Sequence, residues 1–239
     1  MPTTPATTPG RATRRTERRA ETIAEIKTLA RGQLATEGTG GLSLRGIARA
    51  MRMSPAAIFR YFDNQSALIT ALCVDAYDGM ADAIVAAQRD AAPEPAAQWR
   101  AGCDAARQWS LHNRADFTLI NGTPVPGHQA LPEETGPAAS RTVVALGTTY
   151  LAAIGSGVAD PDRTVVPALP IGPLMSALLG NETLPDTPVP GIVLNAWASI
   201  LGFLSAEIFG SLTDLIPDTD ALWDSHVTTV MRGMGFQQP

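Results

Sequence analysis

The sequence predicts an all-α protein: a three-helix domain containing a helix-turn-helix, followed by a larger helical domain. Three observations lead there. Between Leu42 and Leu68, apolar side chains recur at helical spacing in two short segments separated only by Arg52 and Met53. Further along, long apolar runs keep helical spacing, and none alternates with period two between hairpin turns. Charge also divides the chain: residues 1–62 carry eleven Lys or Arg against four acids, net +7, while the rest carries seven against nineteen, net −12. A basic head on an acidic body fits a nucleic-acid reader joined to a separate domain.

With 239 residues, 45% of them hydrophobic and 17% charged, the chain can fill one large core or two. Residues 1–15 offer little to bury and predict a disordered basic arm, in which Arg11, Arg14, Arg15, Arg18 and Arg19 begin a cluster of charge. Such an arm either stays solvated or follows DNA, with the adjacent minor groove within its reach. No apolar stretch follows these arginines, so no signal peptide is expected. Cys73 and Cys103 have no metal-ligand spacing and read as buried thiols in a reducing compartment, which suggests a cytoplasmic protein.

The first long helix is expected from Thr16 to Glu37, with Ile23, Ile26, Ala30 and Leu34 facing inward and the glycines from Gly38 ending it. Ser43 then stands as N-cap before Leu44, Ile47, Ala48 and Met51, which share one helical face. A second start follows at Ser54-Pro55, where the hydroxyl can accept an orphan N–H and the ring occupies the first helical position. Ile58 and Phe62, four residues apart, turn inward from it. Two short helices across so tight a turn describe a helix-turn-helix spanning 16–62 with its supporting helix.

Residues 63–239 predict the body. Asp63 or Ser66 can cap a long helix carrying Leu68, Leu72, Ala76, Met80 and Ile84 towards Gln88, the expected mechanical link between the domains. A helix follows at 96–113 and a short apolar piece at 115–120, then a loop from Gly122 to Pro137 that holds His128. Others are expected at 138–154 and 174–179. The run from Ile192 to Gly210 is apolar nearly all round, but Asn195 and Glu207 argue against a membrane span. A helix apolar on every side must be covered on every side, and a second subunit can do so. An amphipathic helix from Thr219 to Met234 completes the body.

The run from Ile47 to Phe62 resembles the DNA-binding signature of the TetR family of transcriptional regulators, whose recognition helix reads Ser-Pro, two small residues, Leu-Tyr, any residue, His or Tyr, then Phe. Here Arg52 stands in place of a turn glycine, Phe59 in place of a Tyr and Gln65 in place of a Lys. The segment from Trp197 to Gly202, with Phe203 and Glu207, is similar over a shorter span to one TetR subgroup's effector domain.

The resemblance implies a homodimer on a pseudo-palindromic double-stranded DNA operator, a repressor released by an unidentified, largely apolar small molecule. Ser43, Arg45, Ser54, Pro55, Ala56, Ala57, Phe59, Arg60, Tyr61 and Gln65 become the DNA-facing residues. Trp99, Trp109, His112, Phe117, Tyr150, Met175 and Trp197 are candidates for a ligand pocket. Trp197, Leu201, Leu204, Ile208, Trp223, Val227 and Val230 are candidates for the dimer interface. No catalytic group, metal site, cofactor or membrane partner is expected: His112, His128 and His226 are scattered, and no phosphate loop or triad spacing occurs. The competing classes are a ligand-free DNA-binding protein and, with less support, a helical enzyme.

Overall fold

The computed structural model describes residues 11–122, 128, 131–173, 176 and 186–237. They form helices α1 (Arg11–Glu37), α2 (Leu44–Ala50), α3 (Pro55–Ile58), α4 (Gln65–Asp90), α5 (Pro95–His112), α6 (Arg114–Asn121), α7 (Pro132–Gly155), α8 (Val189–Ile208) and α9 (Thr219–Gly233). Short 3-10 turns occur at Thr39–Gly41 and Pro161–Arg163. No strand occurs among the described residues, and the all-helical class stands.

The chain divides into two compact units. The first runs to Leu72 and includes His128; the second holds the remaining described residues. The first unit therefore continues beyond Phe62 into the opening turns of α4, where Leu68, Ile69 and Leu72 are buried. Its core also holds Ile26, Ala30 and Leu34 from α1, Leu44, Ile47 and Ala48 from α2, and Ile58 and Phe62.

Three boundaries differ from expectation. Helix α1 begins at Arg11, so Arg11–Arg15 are helical rather than part of a disordered arm, while residues 1–10 lie outside the described residues. Arg and Ala are good helix formers, and a helix once begun extends cheaply. Helix α7 begins at Pro132 rather than 138, because Pro fits the first turn and Glu134 Oε2 accepts the Leu131 N–H at 3.4 Å. Helix α4 is capped by Asn64, whose Oδ1 accepts the Ala67 N–H at 2.8 Å, and not by Asp63 or Ser66. The helix expected at 174–179 falls almost wholly outside the described residues.

In the second unit, α5 lies at the centre of the packing, against α6, α7 and α8, and α8 packs on α9 and α7. Trp99, Cys103, Phe117, Leu146, Tyr150, Ile200, Leu204, Trp223, Val227 and Met231 belong to one continuous core. The chain after α9 turns back across the end of α7: Asp160 N–H donates to the Gly235 carbonyl at 3.0 Å and Gln237 N–H to that of Val158 at 3.1 Å. Tyr150 Oη donates to the Met234 carbonyl at 2.6 Å, and burial raises its pKa to about 12.

By length and composition α8 could cross a membrane, but one face of it, Ile192, Val193, Ala196, Ile200 and Leu204, is built into this core. The opposite face, with Leu194, Asn195, Ala198, Ser199 and Gly202, is open. The expectation of burial on every side is thus met on one side within the chain.

Candidate nucleic-acid interface

Helix α2 starts as its sequence requires. Ser43 is extended, at φ −139°, and its hydroxyl accepts the Gly46 N–H at 3.1 Å. The Ser43 N–H in turn donates to Gln33 Oε1 of α1 at 2.9 Å, a tie that sequence reading missed because the partners lie on different helices.

The end of α2 makes the turn. Arg52 N–H donates to the Arg49 carbonyl at 3.1 Å and Met53 N–H to that of Ala48 at 2.8 Å, the paired bonds of a Schellman ending. Such an ending needs a left-handed residue, and Arg52 supplies it at φ 54°, the single non-glycine with positive φ among the described residues. Helices α7, α8 and α9 end with the same bond pattern around Gly157, Gly210 and Gly235. The position where the resembled family has glycine thus does require that conformation.

The recognition segment is shorter as an α-helix than the expected Ser54 to Phe62. Pro55–Ile58 form one α-helical turn, and the chain then tightens, with Arg60 N–H donating to Ala57 O at 3.2 Å and Tyr61 N–H to Ile58 O at 3.0 Å. Ser54, whose hydroxyl was expected to accept an orphan N–H, flanks it exposed and without a side-chain cap bond; Pro55 at the first position starts the helix instead. Ile58 and Phe62 anchor the segment in the core. Ser54, Pro55, Ala56, Phe59 and Arg60 are exposed, Ala57 and Tyr61 half-buried.

Phe59 leaves 47% of its surface open, although it is a large apolar side chain in the middle of a packed motif. It borders a cleft of about 320 Å³ lined also by Leu42, Ser43, Leu44, Arg45, Asn64 and Gln65. The sequence-predicted residues Ser43, Arg45, Phe59 and Gln65 are therefore brought together at this cleft. Two further contacts tie the segment to α1: Arg19 Nη1 donates to the Arg60 carbonyl at 3.1 Å, and its Cζ lies 5.1 Å from the Tyr61 ring centroid. In the first turn of α4, Ser66 Oγ lies 2.6 Å from His128 Nδ1.

The candidate pocket and dimer residues fare differently. Trp99, Phe117 and Tyr150 are at most 1% exposed and belong to the core of the second unit. Trp109 and Trp197 pack against that core, His112 is exposed with Nδ1 2.7 Å from the Gln108 carbonyl of its own helix, and Met175 lies outside the described residues. Leu204, Trp223 and Val227 are buried within the chain itself and are unavailable to a partner; Leu201, Ile208 and Val230 are half-buried against the same core. Helical periodicity identifies an apolar face but not which neighbour covers it.

A basic unit with a tight helical turn and an exposed segment after it is the build of a helix-turn-helix DNA-binding protein. Residues 26–72 match the model of bacterial regulatory proteins of the tetR family, and residues 99–230 that of the tetracyclin repressor-like C-terminal domain. The HTH-type transcriptional regulators Mb1846 of Mycobacterium bovis and Rv1816 of Mycobacterium tuberculosis are each 33% identical over 226 residues, 90% of this chain and 93% of theirs. Among solved structures, the regulatory protein SCO4313 superposes with a TM-score of 0.71 at 29% identity, covering 94% of this chain and 100% of that one. RolR, solved in complex with its ligand resorcinol, shares the fold at a TM-score of 0.55 and 15% identity, over 93% of this chain and 91% of RolR. The chain belongs to the TetR family of transcriptional regulators, with the family's DNA-binding helix-turn-helix domain matched over residues 26–72.

Proposed function

We propose that this regulator is a homodimeric repressor that reads a pseudo-palindromic operator through Ser54 to Tyr61 and leaves it when a small, largely apolar molecule binds the second unit. The observation that carries the DNA-reading part is the split of one short segment: Ile58 and Phe62 are buried while Phe59 and Arg60, between them, are exposed. Arg60 and Ser54 have polar reach to phosphates or base edges, and Ala56 and Ala57 allow close approach and contact with thymine methyls. Ser43, Arg45 and Gln65 at the cleft suit phosphate, the group that fixes register without reading sequence.

A second copy supplies the pairing. On α7 and α8, Val144, Leu151 and Leu194 are exposed, with 38%, 55% and 49% of their surfaces open. Ala198 and Gly202 lie along the same α8 face as Leu194, small enough to let another helix come close. A groove of about 110 Å³ between Val143, Val144, Gly147, Thr148, Leu151, Val189, Pro190 and Val193 continues this apolar surface. It is too small for a drug-sized ligand, which needs about 300 Å³ or more. A partner's side chain suits it better.

Two copies would present their recognition segments roughly 34 Å apart, one turn of the double helix. A ligand that prefers one state of the body opposes DNA by linkage, and a hundredfold loss of operator affinity corresponds to about 2.7 kcal/mol of preference. Helix α4, continuous through Leu72 and Cys73, is the covalent route for that coupling.

Selection of bound fragments from the source genome, followed by binding assays on the recovered site, tests this reading. A palindromic site with half-sites about one helical turn apart, bound less tightly by Arg60→Ala, is expected. Sedimentation of Leu194→Glu tests the pairing: monomers are expected, and an unchanged dimer moves the interface elsewhere. If no compound in a library of small apolar molecules alters operator affinity, the protein is a ligand-independent DNA binder.

A further inference from the structure

We infer that Arg19 is a positioning residue for the recognition segment, which it holds in its reading conformation from α1, and that it is not a phosphate contact of a basic arm. The inference rests on the reading of Ser54 to Tyr61 as the DNA-facing segment.

Arg19, itself exposed, lies in line with the inward residues of α1. Ile23, Ile26 and Ala30 follow it at i+4, i+7 and i+11, and Ile26 and Ala30 are fully buried. Arginine thus takes the place on this stripe where the core ends and the recognition turn begins. Its guanidinium meets that turn at two points, the Arg60 carbonyl at 3.1 Å and the face of Tyr61 at 5.1 Å from Cζ to centroid.

Both points need support. The recognition helix is a single α-helical turn, followed by the tightened bonds at Arg60 and Tyr61, so its length contributes little rigidity. The Arg60 carbonyl lies one residue past the helix C-cap, Phe59, where a side-chain donor can tie down the chain that leaves the helix. A charged donor there is stronger than a neutral one, and it suits the negative end of the peptide dipoles. Its place over Tyr61 restrains that ring, and the guanidinium bonds the carbonyl and covers the ring at once, which a lysine ammonium, a single point charge, does less well. Arg18, exposed on the neighbouring side of α1, has no described tie to the recognition segment and serves as control.

The experiment measures operator affinity, affinity for unrelated DNA and the salt dependence of both for Arg19→Ala, Arg19→Lys, Arg18→Ala and Arg60→Ala, with amide exchange at Tyr61 and Phe62 in the free protein. A phosphate contact, when removed, lowers the salt slope by about one and weakens all sequences alike. For Arg19→Ala the expected result is a loss of about five- to tenfold on the operator. Affinity for unrelated DNA and the salt slope should be unchanged, and Tyr61 and Phe62 amide exchange faster. Arg19→Lys should recover little.

A drop in slope by about one with equal loss on both DNAs, or full rescue by lysine, overturns the inference. So does an unaltered exchange rate. If Arg60→Ala weakens operator binding and Arg19→Ala does not, the positioning role fails while the DNA-facing assignment stands. If Arg60→Ala has no effect either, the assignment itself fails.

Discussion

Arg107 on α5 and Glu207 on α8 form a two-pronged ion pair inside the second unit, with Nε to Oε2 at 2.9 Å and Nη2 to Oε1 at 2.5 Å. Their side chains are 7% and 10% exposed. The hydrogen bond to Glu207 is the main reason the Arg107 pKa is raised, and Asp220, at 2.7 Å from Nη2, adds to it. The guanidinium also lies over Trp223, whose Nε1 donates to Asp104 Oδ1 at 2.7 Å. Helices α5, α8 and α9 are thereby tied by one polar cluster, and the Glu207 that interrupts an otherwise apolar run has its explanation.

Removing one partner should therefore cost far more than removing both. Glu207→Ala leaves a buried guanidinium with only the exposed Asp220 as counter-charge, and a loss of about 3–5 kcal/mol is expected. The double variant Arg107→Met, Glu207→Leu replaces the charges with apolar volume and should recover most of that loss. Urea unfolding of both variants checks the difference. Equal destabilisation would mean that packing, not charge, carries the site.

Arg52 holds a left-handed conformation that glycine adopts without steric cost. Arg52→Gly should raise stability by up to about 1 kcal/mol, while Arg52→Val, branched at Cβ, should lower it by at least as much. Thermal melts of the two variants check the sign. Arg52 is exposed, so side-chain burial does not compete with the backbone effect.

His226 packs 5.0 Å from the Phe203 ring and 6.3 Å from that of Trp223, with Nε2 3.3 Å from the Ser199 carbonyl. Burial lowers its pKa below the ordinary 6.5, the bond to Ser199 opposing the shift. The unfolded chain therefore binds the proton more tightly. Stability should be intact above about pH 7 and decline as the pH falls through 6.5 towards the lower folded value. Denaturant titrations at several pH values should show a smaller decline for His226→Gln.

Cys103 is fully buried and Cys73 nearly so. Burial raises both thiols, Cys73 to about 11 with the Asp116 charge adding to the effect, so neither offers thiolate near neutral pH. A thiol reagent at about pH 8 should react with neither in the native protein and with both in denaturant. Rapid labelling of the native protein would show that α4 or α5 opens locally.

Much of this protein was written locally. Ser43 before Leu44, Pro55 after Ser54, and Ile58 four residues before Phe62 declare helix starts and faces in stretches a few residues long, and those elements fold accordingly. The basic first part and the TetR-like motif pointed to the family and its helix-turn-helix for the same reason: those signals are collinear. The need for a left-handed residue at Arg52 was legible through the glycine it replaces.

What the sequence left open, the tertiary structure decided by distance along the chain. Arg19 reaches Arg60 across 41 residues and Arg107 reaches Glu207 across 100, separations over which no periodicity carries information. Apolar spacing on α8 and α9 announced faces to be covered, but Leu204, Trp223 and Val227 turned out to be covered by their own chain and Leu194 did not. An amphipathic pattern states that a surface must leave water; only the packing of the whole chain determines what it leaves water to meet.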